Sequence, residues 1–183
     1  MFKYINKFRR IWDRIYIKTF TDITVAEFYR KRFGVKIGDR CRIVDRRIDL
    51  FGTEPYLITL GENVTLSKNV SLITHDGGVG IFRDEMPGIN LFGRIDIRDN
   101  TFIGINTVIL PGVEIGPNTV IGAGSLVTRN IPAEVVAAGV PARVLGDIED
   151  YKIKAKNKGV RITTTDKQRR IKEILRSVDD GVN

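Results

Sequence analysis

The feature that most constrains this sequence is an aliphatic residue at every sixth position. A small or β-branched residue follows each member of the series by four positions, as Thr101 follows Ile97. A helix repeats about every 3.6 residues and an amphipathic strand every 2, so neither explains this spacing. We predict that each unit is a short strand plus a tight corner, and that three units make one turn. The positions are Ile97, Ile103, Ile109, Ile115, Ile121 and Val127, preceded by Leu60, Leu66 and Leu72 and, more faintly, by Ile37 and Ile43.

The other residues of the repeat agree with this interpretation. Glycine and asparagine occupy the predicted corners, as at Gly104, Gly116 and Asn106, and both tolerate positive φ. We therefore predict an all-β solenoid in which parallel strands stack around an aliphatic interior. Cys41 and Ser125 occupy small positions of the repeat, so we expect them in the core rather than in a reactive site.

The register of the repeat breaks twice. Ile43 and Leu60 are 17 residues apart, and Leu72 and Ile97 are 25 apart, so neither spacing is a multiple of six. The second gap contains residues 76–94, which we expect to leave the solenoid as a loop. Long loops on a rigid scaffold commonly carry function. The only histidine of the chain, His75, stands at the root of this loop and is the first candidate for chemistry.

The charge distribution argues against a nucleic-acid partner. The net charge is +8, but residues 1–33 carry +6, residues 34–146 carry −1 and residues 147–183 carry +3. A nucleic-acid reader usually concentrates basic residues on its folded core, so we expect basic terminal segments on a neutral repeat domain. The single cysteine and the lack of a long apolar run at the N-terminus favour the cytoplasm.

Two segments resemble a known family. They are Ile109-Leu-Pro-Gly-Val-Glu-Ile-Gly-Pro-Asn-Thr-Val-Ile-Gly-Ala-Gly-Ser-Leu-Val-Thr-Arg-Asn-Ile-Pro132 and Val136-Ala-Ala-Gly-Val-Pro-Ala-Arg-Val144. Both are similar to the hexapeptide-repeat acyltransferases, within them to the maltose, galactoside and capsular-polysaccharide O-acetyltransferases, and the resemblance covers residues 34–148. It implies a left-handed parallel β-helix that assembles as a homotrimer. It also implies transfer of an acetyl group from acetyl-CoA to a carbohydrate hydroxyl, on a surface polysaccharide or its precursor.

The resemblance assigns catalysis to His75, and the chemistry is independently reasonable. An imidazole can take the proton of a sugar hydroxyl as that hydroxyl attacks a thioester, and can then protonate the departing thiolate without an acyl-enzyme. Asp76 is a candidate to orient the acceptor or the imidazole. Glu54 lies in a Gly-Thr-Glu-Pro-Tyr segment similar to one in the capsular branch. It either meets His75 from the previous turn or is a solvated loop carboxylate. The backbone of Gly104 is a candidate to stabilise the oxyanion.

The same resemblance assigns the acetyl-CoA contacts. The pantetheine arm is expected along Ile105 and Ala123, and the phosphoadenosine near Thr128, Arg129 and Arg143, where arginine pairs with phosphate. The chain departs from the galactoside enzymes at Ile105, where they have serine. No metal is expected.

Three other functions are compatible in part with a chain of this kind. A zinc-dependent γ-type carbonic anhydrase of this fold needs three histidines across a subunit interface, and this chain has one. A drug-modifying acetyltransferase of the same fold keeps the histidine and differs mainly in the loop that frames the acceptor. A repeat scaffold that only binds partners predicts that loss of His75 has no measurable effect.

The terminal segments outside residues 34–148 are predicted to contain helices. Residues 1–33 form a basic amphipathic segment, with a second helix beginning at Asp22 or Thr24 and ending at Gly34. It either covers the open first coil or, through residues 1–20, contacts an anionic membrane, which would place the protein at the inner face of the membrane. In residues 149–183 a short charged helix begins at Thr165 or Asp166. Packing on the coil or within a trimer accounts for its narrow apolar stripe, which consists of Ile171, Ile174, Leu175 and Val178.

Overall fold

A computed structural model of the chain describes residues 12–179. Its strands are short, and in chain order they are β1 (Lys36–Ile37), β2 (Arg42–Ile43), β3 (Ile58–Leu60), β4 (Thr65–Leu66), β5 (Ser71–Leu72), β6 (Ile95–Ile97), β7 (Phe102–Ile103), β8 (Val108–Ile109), β9 (Glu114–Ile115), β10 (Val120–Ile121), β11 (Leu126–Val127), β12 (Val135–Gly139) and β13 (Ala142–Asp147). After a helical segment at residues 12–16, the α-helices are α1 (Val25–Phe33), α2 (Ile148–Lys158) and α3 (Lys167–Asp179). Short 3-10 helices span Ile17–Thr19, Pro55–Leu57 and Gly77–Phe82.

The strands stack as a three-faced parallel solenoid. One face consists of β1, β3, β6 and β9, the second of β2, β4, β7, β10 and β12, and the third of β5, β8 and β11. Ile97 lies beside Ile115 and Ile103 beside Ile121 in the parallel ladders, so one coil advances the chain by three six-residue units. The predicted solenoid and its register are therefore confirmed.

The interior is filled by the two sets of positions that the repeat predicts. The aliphatic members from Ile97 to Val127 are at most 1% exposed, and Cys41 and Ser125 are each 1% exposed. A buried hydroxyl is costly without a partner, and the interior hydroxyls have one. Thr101 Oγ1 donates to the carbonyl of Gly116 at 3.2 Å, and Thr107 Oγ1 donates to that of Gly122 at 3.3 Å.

Asparagine and glycine serve the corners for different physical reasons. Asn63, Asn100 and Asn118 have φ near +54° (54°, 53° and 53°), and their amides form a ladder, with Nδ2 to Oδ1 distances of 2.8 and 3.1 Å. Gly104 and Gly116 do not have positive φ. A Cβ on either would lie 2.5 Å from a backbone nitrogen of the next coil. The sequence interpretation of these two glycines was wrong, because close approach of the backbone requires them.

The described part of the N-terminal segment covers the first coil. Ile17, Val25 and Tyr29 are fully buried, whereas Trp12 remains 69% exposed. Helix α1 begins after Thr24, whose side chain makes no capping hydrogen bond, and ends at Gly34, whose φ is +70°. Residues 1–11, on which most of the membrane alternative rests, lie outside the described residues.

At both register breaks the chain leaves the solenoid, and we call these segments the first excursion (residues 44–57) and the second excursion (residues 73–94). Both lead into the same face of the solenoid. The first follows β2 and enters β3 through the 3-10 helix Pro55–Leu57, and the second follows β5 and enters β6. The root of the second is closed by an antiparallel bridge between His75 and Phe92, and by a hydrogen bond of 2.9 Å from Gly93 N to Thr74 O. The predicted loop at residues 76–94 therefore emerges from a fixed base.

The C-terminal end of the solenoid is closed by an antiparallel hairpin of β12 and β13. Asp166 begins α3, since its carboxylate accepts a hydrogen bond of 2.8 Å from Arg169 N, which agrees with the predicted start. No residue of α3 is buried, so its apolar stripe does not pack on the coil of the same chain. Over residues 12–179, no helix is both long and apolar enough to cross a membrane.

The close approach of successive coils at glycine gives a stability prediction. Gly116→Ala should lower the free energy of unfolding by about 1–3 kcal/mol, because the new methyl group collides with Ala133 N of the next coil. Gly146→Ala is the matched control, since no atom lies within 4 Å of its Cβ position. Urea unfolding at one protein concentration measures both. Equal unfolding midpoints for the two variants would contradict this account of the coil spacing.

Candidate active site

The structure brings together one residue from each register break. Glu54 precedes the 3-10 helix at the end of the first excursion, and His75 stands at the root of the second. His75 Nδ1 lies 2.9 Å from Oε2 of Glu54. Glu54 is only 14% exposed, so it is not a solvated loop carboxylate.

Two threonine hydroxyls hold the Glu54 carboxylate. Thr53 Oγ1 donates to Oε1 at 2.6 Å, and Thr74 Oγ1 donates to Oε2 at 2.7 Å. Thr74 is 2% exposed and cannot turn to solvent. The hydrogen bonds from Thr53, then Thr74, then His75 lower the pKa of Glu54 from 4.5 to about 2, against an opposing effect of burial. The carboxylate is therefore ionised at neutral pH.

The ionised carboxylate determines which nitrogen of His75 carries the proton. A carboxylate accepts hydrogen bonds, so Nδ1 is the donor and Nε2 is the unprotonated nitrogen of the neutral ring. Nε2 has no hydrogen-bond partner within residues 12–179. The ring packs edge-on against Phe92, with ring centroids 6.3 Å apart, and the side chain is 49% exposed. His75 is thus oriented by two neighbours while its basic nitrogen stays accessible.

The N-terminal helix anchors the first excursion. Tyr29 of α1 donates a hydrogen bond of 2.8 Å from its hydroxyl to Arg47 O, and its ring packs edge-on against Phe51 at 4.9 Å between centroids. The Asp45 carboxylate accepts from Arg47 N at 3.0 Å and from Asn69 N of the next coil at 3.1 Å. These contacts fix the loop on which Glu54 is carried.

An open cavity of about 490 Å³ surrounds the pair. Its walls combine polar side chains with an apolar side, which suits a ligand that has both hydroxyl groups and ring faces. The lining comes entirely from the two excursions and their roots: Thr53, Glu54, His75, Asp76, Gly77, Arg83, Asn90, Leu91 and Phe92.

Asp76 does not orient the imidazole. Its Oδ1 accepts a hydrogen bond of 2.8 Å from Gly78 N and begins the 3-10 helix Gly77–Phe82. The carboxylate therefore shapes the protruding loop. Asp76 still lines the cavity, which leaves contact with an acceptor open.

Of the residues expected to contact acetyl-CoA, Arg143 lies on β13 and the others lie on the coils, and none of them lines this cavity. Ile105 and Ala123 occupy the same corner of successive coils, where Gly124 N donates to Ile105 O at 2.8 Å. The N–H of Gly104 donates to Ile121 O at 2.8 Å, so it is not available to an oxyanion. The N–H of Ile105 has no such partner within the described residues. Thr128, Arg129 and Arg143 are exposed.

Sequence reasoning missed the two threonines. Thr53 and Thr74 stand directly before the two candidates Glu54 and His75, and this adjacency is the only signal that the sequence offers. Within residues 12–179, no three side chains of the metal-binding types converge.

Comparisons with known proteins agree with the solenoid. They also identify relatives that match more of the chain than the repeats alone. A family model described as "Bacterial transferase hexapeptide (six repeats)" matches residues 94–129. Protein CapG of Staphylococcus aureus is 49% identical over 124 residues, which are 68% of this chain and 72% of that protein. The galactoside O-acetyltransferase of Escherichia coli K12 is 44% identical over 98 residues, which are 53% of this chain but only 47% of that enzyme.

A solved structure is similar in fold. The hexapeptide-repeat-containing acetyltransferase of Vibrio cholerae superposes with a TM-score of 0.58 at 23% identity, covering 76% of this chain and 89% of that one. At this level of identity the likeness concerns the architecture alone.

The hydroxyl contacts of Glu54 give a prediction that does not depend on activity. Thr74→Val should raise the pKa of Glu54 from about 2 towards its ordinary value of 4.5, because one donor to Oε2 is lost without a change in side-chain shape. Carboxyl-carbon NMR titration of Glu54 measures it. Thr74→Ser, which retains the hydroxyl, is the control and should leave the titration close to that of the wild type. Identical titrations for the valine and serine variants would contradict the assigned role of Thr74.

Proposed function

The chain belongs to the bacterial hexapeptide-repeat transferases, in the branch that includes Protein CapG and the galactoside O-acetyltransferases, and from this membership we propose that it is an acetyl-CoA-dependent O-acetyltransferase with a carbohydrate acceptor. The proposed acceptor is a unit of a surface polysaccharide or its precursor. The proposed general base is His75.

The observation that carries this proposal is the oriented His75–Glu54 pair. A hydroxyl group is a poor nucleophile at neutral pH, and its attack requires a base within hydrogen-bond reach. Glu54 accepts from Nδ1 at 2.9 Å, which leaves Nε2 as the base that faces no competing donor in the described residues. The same carboxylate stabilises the imidazolium that forms when the proton is taken.

The proposed reaction balances with these groups alone. Nε2 removes the proton from the acceptor hydroxyl while its oxygen forms a bond to the thioester carbonyl carbon. The negative charge then resides on the carbonyl oxygen of the tetrahedral intermediate. The intermediate collapses, the carbon–sulfur bond breaks, and the imidazolium returns the proton to the CoA thiolate. An acetyl ester and free CoA result.

Direct attack is favoured because, within the described residues, no free serine or threonine hydroxyl and no cysteine thiol lines the cavity. Cys41 and Ser125 are each 1% exposed in the solenoid core. Thr53 lines the cavity, but its hydroxyl donates to Glu54. An acyl intermediate on any of these side chains would first require the scaffold or the Glu54 contacts to break.

Several features of the coils fit acetyl-CoA. The corner at Ile105 and Ala123 is exposed, and the N–H of Ile105 has no hydrogen-bond partner within residues 12–179. Arg129 and Arg143 are exposed cations that can pair with phosphate groups. When bound, acetyl-CoA supplies the activated acetyl group. In this proposal the coil corners hold the cofactor and the two excursions hold the acceptor.

Three further assignments follow from family membership and belong to the same proposal. The solenoid winds with a left hand, three copies form a homotrimer, and the protein acts in the cytoplasm or at the inner face of the membrane. The half-exposed His75 supports the trimer, because a neighbouring copy can supply the wall that this cavity lacks on its open side.

The proposal predicts a large loss of activity on removal of the imidazole. His75→Ala should lower kcat/KM for CoA release by about 10²–10⁴-fold with the best acceptor, because the base is lost. Glu54→Gln should lower kcat/KM by about tenfold or more. A neutral amide no longer holds the His75 proton on Nδ1 as the charged carboxylate does. A thiol-release assay over a panel of mono- and oligosaccharides measures this, with the acetyl ester identified by mass spectrometry.

Glu62→Gln is the matched control for Glu54→Gln. Glu62 is a surface carboxylate 3.0 Å from Arg40, and its neutralisation should leave kcat/KM unchanged. Equal CoA release by the wild type and His75→Ala would eliminate the mechanism and favour a repeat scaffold. Acetylation of an antibiotic panel in place of every sugar would reassign the acceptor to the drug-modifying class.

A further inference from the structure

Helix α3 carries an apolar stripe that nothing in the described chain covers. Ile171, Ile174, Leu175 and Val178 follow one another at i, i+3, i+4 and i+7, which places them on one side of the helix. Their exposed fractions range from 37% to 69%, and no residue of the helix is buried. A helix of 13 residues is only marginally stable in water, so the stripe needs an apolar environment from outside the chain.

The charges of α3 indicate which environment that is. The helix has five basic residues and two acidic ones. Successive residues are turned by about 100°, so Arg170 and Lys172 flank the stripe on its two sides, Lys167 lies at its N-terminal end, and Arg169 and Arg176 lie on the opposite face. Cations at the flanks of an apolar stripe are typical of a helix that lies in the headgroup region of an anionic bilayer.

The same arrangement disfavours parallel pairing of α3 with its copy. Two such helices packed in parallel, stripe to stripe, would bring the flanking Arg170 of one against Lys172 of the other. Like charges at the edges of a helix interface are destabilising. The two acidic residues are Glu173, which lies opposite the stripe, and Asp179, which lies on the Lys172 side about two turns further along, so neither lies beside Arg170 and Lys172 in a parallel pair.

A second exposed patch at the N-terminal end has the same character. Residues 12–16 are helical, and Trp12, Ile15 and Tyr16 are 69%, 57% and 57% exposed. Arg14 and Lys18 lie beside them in the sequence. Tryptophan and tyrosine are enriched at membrane interfaces, and stable peripheral binding commonly needs two weak signals rather than one.

We propose that α3 docks the protein on an anionic lipid surface. Its stripe enters the boundary between headgroups and acyl chains, and Arg170 and Lys172 pair with lipid phosphates. Docking through α3 does not depend on the acetyl-transfer reaction. It assigns a lipid contact to the apolar stripe, which the sequence predicted to pack on the coil or within a trimer.

The test is co-sedimentation of the full chain with vesicles. The wild type should bind vesicles of equal parts phosphatidylcholine and phosphatidylglycerol, should bind pure phosphatidylcholine at least tenfold more weakly, and should be released by salt. Leu175→Ser should lower the partition coefficient on the anionic vesicles by about tenfold, since one buried apolar side chain is lost. The double variant Arg170→Glu, Lys172→Glu keeps the stripe intact and should also lose binding.

Ile153→Ser on α2 is the matched control, because it removes an exposed apolar side chain (53%) from the neighbouring helix. It should bind the anionic vesicles as the wild type does, and circular dichroism checks that all variants are folded. Failure of the wild type to bind, or wild-type binding by Leu175→Ser, would overturn the proposal. A change in solution mass on Leu175→Ser without vesicles would also overturn it, because the stripe would then be covered by a second copy.

Discussion

The pairing of each coil with the next is the constraint on which the rest of this structure depends. Each strand must return to its place in a parallel ladder, as Ile97 does beside Ile115, so extra residues cannot be absorbed inside the solenoid and must leave it at a corner. Both excursions leave just before strands that pair with each other, Ile58 of β3 beside Ile95 of β6. Glu54 and His75 belong to different excursions of the chain, and they therefore meet at one edge of one face.

The Glu54 carboxylate is kept ionised by hydroxyl groups rather than by a cation. Its pKa of about 2 is caused first by Thr53 and then by Thr74, with His75 as a further contributor. The folded pKa lies below the ordinary value of 4.5, so this contribution to stability is complete above that value and is lost as the pH falls towards about 2. Because Thr53 and Thr74 are neutral, the only charge that forms in contact with Glu54 during the proposed reaction is that of the imidazolium.

The repeat made the solenoid predictable, and its breaks made part of the site predictable. A period of six fixes which side chains are buried, so Cys41 and Ser125 were correctly placed in the core. His75 was conspicuous because it stood at a break. Thr74 and the anchoring of the first excursion by Tyr29 were not predictable, since they depend on side-chain hydrogen bonds between segments without a period. The role of Gly116 was misassigned because spacing between coils is not visible within one coil.

The two halves of the proposed reaction rest on structurally different parts of the chain. Ile105 and Ala123, assigned to acetyl-CoA, are corner residues of successive coils, and any change in their spacing would break the ladder on both sides. The cavity around His75 is lined only by the two excursions and their roots, which the ladder does not constrain in length or composition. In the proposed reaction, the acceptor can therefore change through the loop residues Arg83, Asn90 and Leu91, while Ile105, Ala123 and the proposed His75–Glu54 pair stay in place. This separation explains why the repeat alone identifies the transferase scaffold, whereas the proposed acceptor contacts lie in segments that follow no repeat.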